Sequence, residues 1–250
     1  MANTILYMGD TAIDGAAAYL GGVMTHAGLR FDYRPSDAAL RPEDVATAHA
    51  LYIVSDYAAK MIATPLQERI VEHVSRGAGL LMLGGWESFC GLGGDWSGTP
   101  IANILPVEIG TKDDRRNCDD LVLVHCETEN HPITRSLPWT TRPPIIGGFN
   151  EVRAKPDGGL LLTARRQRPR FDGDTVQLAA GAVHPLLVTG VHGHGRTAAL
   201  MTDVAPHWVG PLVDWGDQRV QAKAPGSSEI EVGDLYAQFV TQLVGWTLHR

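Results

Sequence analysis

Apolar and polar positions follow two periods along the first 110 residues. TILYMGD is a short apolar run that stops at Gly9 and Asp10, which predicts a buried strand ending in a turn. In DGAAAYLGGVMTHAGLR, residues Ala16, Tyr19, Leu20, Val23 and Met24 recur at helical spacing, with Gly28 where a helix C-cap is favoured. RFDYRPSD, with alternating aromatics, reads as a second strand and LYIVSD as a third, buried one. TPLQERIVEHVSRGAG is the clearest helix: Thr64 can cap it, Pro65 suits its first position, and Leu66, Ile70, Val71 and Val74 form an apolar stripe. Gly77 or Gly79 ends it, and GLLML gives a fourth strand. Short apolar strands alternating with amphipathic helices predict a mostly parallel sheet with helices on both faces.

The texture changes near Gly110. DLVLVHC, FNEVRAK, GLLLTARR, HPLLVTGV and RTAALMTDV are short strand candidates separated by turn residues, and they predict an antiparallel or mixed half. VHGHGRT lies between two of them, with Gly193 and Gly195 able to supply the positive φ of a hairpin. PLVDWGDQRVQAKAPGSSEIEVGD reads as polar and turn-rich. LYAQFVTQLVGWTLHR closes the chain as a helix, with Leu235, Phe239, Leu243 and Trp246 in phase. There is no internal repeat. The expectation is one α/β domain over 1–250, its parallel part in 1–110 and a β-rich extension with the closing helix in 111–250.

Composition narrows the function. The 250 residues are 44% hydrophobic and 20% charged, as in a globular chain. Lys and Arg number 21 against 28 Asp and Glu, a net charge of −7 that offers no chain-wide attraction to phosphates or anionic lipid. Nucleic acid and membrane partners are not expected. No apolar run approaches the ~20 residues of a membrane span, and the amino terminus lacks the pattern of a secretory leader. Cys90, Cys118 and Cys126, an odd number, suit a reducing compartment, so a cytoplasmic location is expected.

In an open α/β sheet the loops beyond the carboxyl ends of the strands line the ligand crevice. Here they carry Asp10, Asp56, Glu87 with Ser88 and Cys90, and Asp203 with His207. The strongest local signal is LLMLGGWESFCGLGGDWSGTP, where a strand runs into Gly84, Gly85 and Trp86. Such a turn lets a ligand approach the backbone, and its N–H groups could bind an anion or oxyanion. The spacing matches neither a P-loop nor GxGxxG, so no nucleotide or other cofactor is expected. Cys90 could be a nucleophile with His207 as its base, although free cysteine is often a small buried hydrophobe. Ser88 lacks a G-x-S-x-G setting. His192 and His194, as H-x-H, could ligate a metal with His184 or His207; their place at a hairpin tip favours exposed turn residues, and no metal is expected. His131 precedes a proline and reads as a turn residue. Arg165, Arg166, Arg168 and Arg170 form a basic cluster suited to a solvated face or an anionic partner.

LYIVSD, the helix after it, GGWESF and GVHGHGRTAALMTDVAPHW together resemble the glutamine-amidotransferase-like proteins of the class I glutamine amidotransferase superfamily, which includes DJ-1/PfpI-like and ThuA-like proteins. ENHPITRSL is similar to a ThuA-like segment. The resemblance covers most of the chain and implies a flavodoxin-like sheet with a nucleophile elbow after LLML. At that elbow the family's cysteine is replaced by Gly84, Gly85 and Trp86, so glutaminase chemistry lacks its nucleophile. His207 falls near the family's catalytic histidine, with Asp203 close by. Three readings follow. The first is an enzyme of altered chemistry on a small polar or sugar-like metabolite, with Glu87, Asp203 and His207 as acid, base or orienting groups. In that reading Asp10, Asp56, Gly84, Gly85, Trp86 and Ser88 bind the ligand. The second is a noncatalytic ligand-binding or assembly protein, and the third an amidotransferase or hydrolase using Cys90. Aromatic residues around Trp208, Val209, Trp215 and the last helix suit either a homo-oligomer or a core helix.

Overall fold

The computed structural model describes residues 4–250. Four apolar runs form the strands β1 (Ile5–Gly9), β2 (Phe31–Pro35), β3 (Leu51–Ser55) and β4 (Gly79–Leu83), with α1 (Ala17–His26) after β1 and α2 (Thr64–Ser75) after β3. There follow α3 (Pro100–Ile104), β5 (Val107–Glu108), β6 (Arg115–Cys126), β7 (Ile145–Asn150), β8 (Arg153–Ala154), β9 (Gly159–Asp172), β10 (Thr175–His192) and β11 (Gly195–Leu200). The chain ends with α4 (Pro206–Val209), β12 (Arg219–Lys223), β13 (Glu229–Gly233) and α5 (Asp234–Thr247).

Nine strands make one sheet, ordered β2-β1-β3-β4-β11-β10-β9-β6-β7. The first five are parallel and the rest antiparallel. This is a flavodoxin-like α/β arrangement, with its order reversing between β1 and β3. Right-handed crossovers that run one way from β1 to β2 and the other way from β3 to β4 put α1 and α2 on opposite faces. α1 packs with α5 and the β12–β13 hairpin, and α2 with α3. The central strands β1, β3 and β4 are buried at every position, which is why they read as unbroken apolar runs. The break at 110 is real in texture, but the fifth parallel strand, β11, comes from the later half.

Several local expectations are corrected. Thr64 is the first residue of α2 and does not cap it: Ala63 holds the N-cap position, with no side-chain bond. Gly193 has the positive φ of the β10–β11 turn, at 59°, whereas Gly195 serves packing. A Cβ on Gly195 would stand 2.3 Å from the carbonyl oxygens of both Ala78 and Val74. The segment read as polar and turn-rich contains the β12–β13 hairpin. The closing helix buries Tyr236, Phe239, Val240, Leu243 and Val244, while Leu235 and Trp246 are only half-buried. Trp208, Val209 and Trp215 lie in the core, so they offer no surface to a second subunit.

Gly28 and Gly195 separate two uses of glycine. Gly28 has φ +69° and open space around its Cα, so Gly28→Ala is expected to cost about 1–2 kcal/mol, the left-handed penalty alone. Gly195→Ala must move two backbone carbonyls and should cost roughly 3 kcal/mol or more. Chemical denaturation of both variants checks this, and equal losses would contradict it.

Candidate functional site

The parallel strands all end on one edge of the sheet, and their ends carry the chemistry. Asp10 follows β1, Asp56 follows β3, Gly84 to Glu87 follow β4 and Asp203 follows β11. A cleft of about 360 Å³ opens there, walled by Asp10, Asp56, Glu87 and His207 and rimmed by Trp86 and Leu92. Thr11 and Ser36 complete the lining, and sequence reasoning missed them together with Leu92. Ser36 stands at the end of β2, a strand end whose polar residues were overlooked.

Asp56 has φ +46°, a left-handed conformation that an aspartate tolerates better than most residues. Its N–H donates to Ser88 Oγ at 2.9 Å, and its Oδ1 accepts the Glu87 N–H at 2.8 Å. A Cβ on Gly85 would stand 2.2 Å from both of its carboxylate oxygens, so glycine there is what lets the carboxylate lie against the backbone. Ser88 is fully buried and lies outside the cleft lining, so it positions Asp56 from behind.

The same geometry corrects the anion-site expectation for the glycine pair. The Gly84 N–H donates to the carbonyls of Leu200 at 2.7 Å and Thr202 at 3.1 Å, and the Gly85 N–H to Asn150 Oδ1 at 3.0 Å. Neither is free for an oxyanion. Asn150 is buried and also donates through Nδ2 to Gly85 O at 3.2 Å and Asp114 Oδ1 at 2.8 Å. Asp114 in turn accepts the N–H groups of Cys90 and Gly91, at 2.9 and 3.0 Å. This clamp had no signal in the sequence, because its two members lie in strand-edge segments that look unremarkable alone.

Cys90 is placed wrongly for a nucleophile. It is buried beside Asp114, outside the cleft lining, and burial first, then that carboxylate, pushes its thiol pKa up. A nucleophilic thiol needs the reverse. Residues 84–95 form an irregular loop with positive φ at Phe89, Gly91, Gly93 and Asp95. His192 and His194 flank the β10–β11 turn, and among the described residues no group of three or more His, Cys, Asp or Glu side chains is arranged to hold a metal ion.

His207 and Asp203 do meet. Asp203 is buried, and its Oδ1 accepts the N–H groups of Val204 at 2.5 Å and Ala205 at 3.1 Å, fixing the entry to α4. Its Oδ2 has the His207 ring opposite, with Nε2 at 3.0 Å. That contact raises the histidine's pKa, while more than half of its side chain stays open to solvent. Burial, then the charge of Asp203, lifts Asp10 from 3.8 to about 7, and the same two causes lift Asp56 to about 7. The cleft therefore gathers two aspartates, one glutamate and a histidine, with the buried Asp203 behind the histidine. Trp86, 49% exposed with the Arg115 guanidinium 4.7 Å from its ring centre, stands at the mouth.

A family model, GATase1_like, described as "Putative glutamine amidotransferase", matches residues 43–220. The chain belongs to this family. No curated protein matches it. Among solved structures the chain is similar to "Cytoplasmic Protein STM3548 from Salmonella typhimurium", with 21% identity, a TM-score of 0.72, and coverage of 97% of this chain and 98% of that one. "Cytoplasmic Protein STM1381 from Salmonella typhimurium LT2" aligns with 21% identity and a TM-score of 0.73, over 98% and 99% of the two chains. A thua-like protein from Parabacteroides merdae ATCC 43184 aligns with 12% identity and a TM-score of 0.60, over 99% and 90%. At these identities the likeness is one of fold. No helix among the described residues is long and apolar enough to cross a membrane.

The raised carboxyls make a stability prediction. Asp10 binds its proton at an ordinary 3.8 when unfolded and at about 7 when folded. Below pH 3.8 both states are protonated and stability is unaffected. Between about pH 4 and 7 the folded state holds the extra proton, so stability falls as pH rises, and the loss persists above 7. Asp10→Asn should therefore raise Tm at pH 8 by about 2–4 °C, the shift that roughly 1 kcal/mol gives in a chain of this size, and change little at pH 4. Scanning calorimetry at the two pH values checks it, and a fall in Tm at pH 8 would contradict it.

Proposed function

We propose that the cleft is an acid–base active site for a small neutral or cationic polyhydroxylated metabolite, a sugar or amino sugar. In this reading thiol chemistry has given way to proton transfer. The observation that carries it is the convergence of Asp10, Asp56 and Asp203 around His207, with the first two carboxyls held near pH 7. Buried carboxyls lifted to working pH are costly to a fold and are concentrated at functional sites. His207, kept protonated by Asp203, is placed to give a proton to a ligand oxygen. An ionised Asp10 or Asp56 can take one from a ligand hydroxyl or a water, while its neighbour stays protonated. Glu87 adds acceptor capacity at the wall.

Charge and shape support the ligand class. Carboxylates accept hydroxyl hydrogen bonds and repel phosphates and carboxylates, which argues against anionic substrates. Trp86, half exposed at the rim, gives an apolar platform beside a polar floor. A cytoplasmic location belongs to the same proposal, because the three cysteines are unpaired.

Calorimetric titration with neutral hexoses, amino hexoses and hexose phosphates tests the ligand class. Binding is expected for the first or second group and not the third, and Asp10→Asn should weaken it about tenfold, the worth of one lost hydrogen bond to a charged group. Turnover, followed by mixing ligand and protein and watching product formation by NMR, should rise as pH climbs through about 7, where the base ionises. It should fall again as His207 loses its proton, and His207→Ala should abolish it. Preference for the phosphates, or turnover indifferent to His207, would overturn the reading. Binding without turnover would make the cleft a receptor site instead.

A further inference from the structure

A second cavity, of about 150 Å³, lies at the edge of the sheet opposite the cleft. Its wall is drawn from the end of α3, the turn between β8 and β9, the end of β10 and Thr197 of β11. Thr197 stands in register with Gly190 of β10 and Leu80 of β4, near the beginnings of β4 and β11, whereas the cleft lies past their carboxyl ends. No residue lines both.

The most buried polar group in this wall is Thr197. It is 1% exposed, and its Oγ1 has no hydrogen-bond partner among the described residues. A hydroxyl buried in that way is costly to a fold and calls for a partner. Gly190 faces it across the strand pair, and a Cβ on Gly190 would stand 3.0 Å from both Thr197 Oγ1 and Pro106 Cβ. The backbone there is ordinary strand without positive φ, so conformation does not call for glycine. The missing side chain is what opens the hydroxyl to the cavity.

Opposite charges stand nearer the mouth. Lys155 Nζ donates to Asn103 O at 2.8 Å, which pins the ammonium to the wall and leaves its other hydrogens for a ligand. The Lys155 N–H donates to Pro106 O at 3.0 Å and the Gly158 N–H to Lys155 O at 2.9 Å, so the turn that carries Asp157 is fixed to the same wall. Neither Lys155 nor Asp157 has an ion-pair partner among the described residues, and the Asp157 carboxylate and the His192 ring make no hydrogen bond there. An ammonium and a carboxylate therefore line one cavity, over a buried hydroxyl, without pairing with each other.

We propose that this cavity binds a compact zwitterion, a carboxylate and an ammonium a few bonds apart, which is the chemistry of a small amino acid. The ligand carboxylate takes the Lys155 ammonium and the Thr197 hydroxyl inside, and the ligand ammonium takes exposed Asp157 at the mouth, with the His192 ring beside it. A plain anion would meet Asp157 as a like charge and a plain cation would meet Lys155, so a ligand with both charges fits where either alone is opposed. The volume is that of about five waters at ~30 Å³ each, room for the smallest amino acids and little more.

NMR of the nitrogen-labelled full chain, following the amide signals of Gly158 and Gly190 during titration with glycine, acetate and methylammonium at matched ionic strength, tests this. Glycine is expected to saturate the shifts with a Kd of about 1 mM, at least tenfold tighter than either single charge. Lys155→Met and Asp157→Asn, on a turn whose backbone bonds remain, should each weaken glycine about tenfold. Thr197→Val, which removes the hydroxyl and keeps the shape, should weaken it about fivefold. Gly190→Ala, which sets a methyl between Thr197 and Pro106, should abolish binding with an unchanged circular dichroism spectrum. No saturation by glycine at ten times the expected Kd, acetate or methylammonium bound as tightly as glycine, or glycine binding intact in Lys155→Met or Asp157→Asn would overturn the proposal. Because cavity and cleft share no residue, sugar binding in the cleft and glycine binding here stand or fall separately.

Discussion

The close approach of the Asp56 carboxylate to the backbone of Gly85 is the contact on which the site depends. It requires a residue without Cβ at the end of β4 and a left-handed aspartate at the end of β3, each of which a different side chain would spoil. Ser88 and Glu87 hold the aspartate from one side, and the Asn150–Asp114 clamp holds the glycine from the other. With Asp56 fixed, its charge, that of Asp10 and that of Asp203 fall within one buried edge. Protonation, the His207 ring and the backbone N–H groups of Glu87, Val204 and Ala205 relieve them.

That arrangement gives the glycine pair a meaning different from an elbow or an anion nest. The turn after β4 makes room for a neighbouring carboxylate, and its N–H groups are spent inside the fold. Asp203 shows the same economy, since one carboxylate oxygen organises the start of α4 while the other holds the histidine that α4 carries.

Much of this was legible in the sequence. Strands buried on both faces write unbroken apolar runs, so LYIVS and GLLML declare themselves, and the crevice rule points to Asp10, Asp56, Glu87, Asp203 and His207. What failed did so for physical reasons. Hydrogen-bond commitment of the Gly84 and Gly85 N–H groups depends on Leu200, Thr202 and Asn150, which are distant in sequence. Periodicity placed α5 correctly but misphased its stripe, because the helix packs against β4, β11, α1 and the β12–β13 hairpin, and their arrangement selects Tyr236, Val240 and Val244. The extension of β9 and β10 past their sheet neighbours leaves no mark in the sequence, since its apolar residues read like those of any other strand.

The proposed site requires that carboxyl groups in this cleft hold their protons near neutrality. Carbon-detected NMR titration of the aspartate carboxyls, with Asp10→Asn and Asp56→Asn used to assign them, measures this directly. At least one of the two is expected to titrate with a midpoint near 7. Midpoints below 5 for both would mean that the cluster is hydrated and relaxed, and the cleft would then be an ordinary acidic surface.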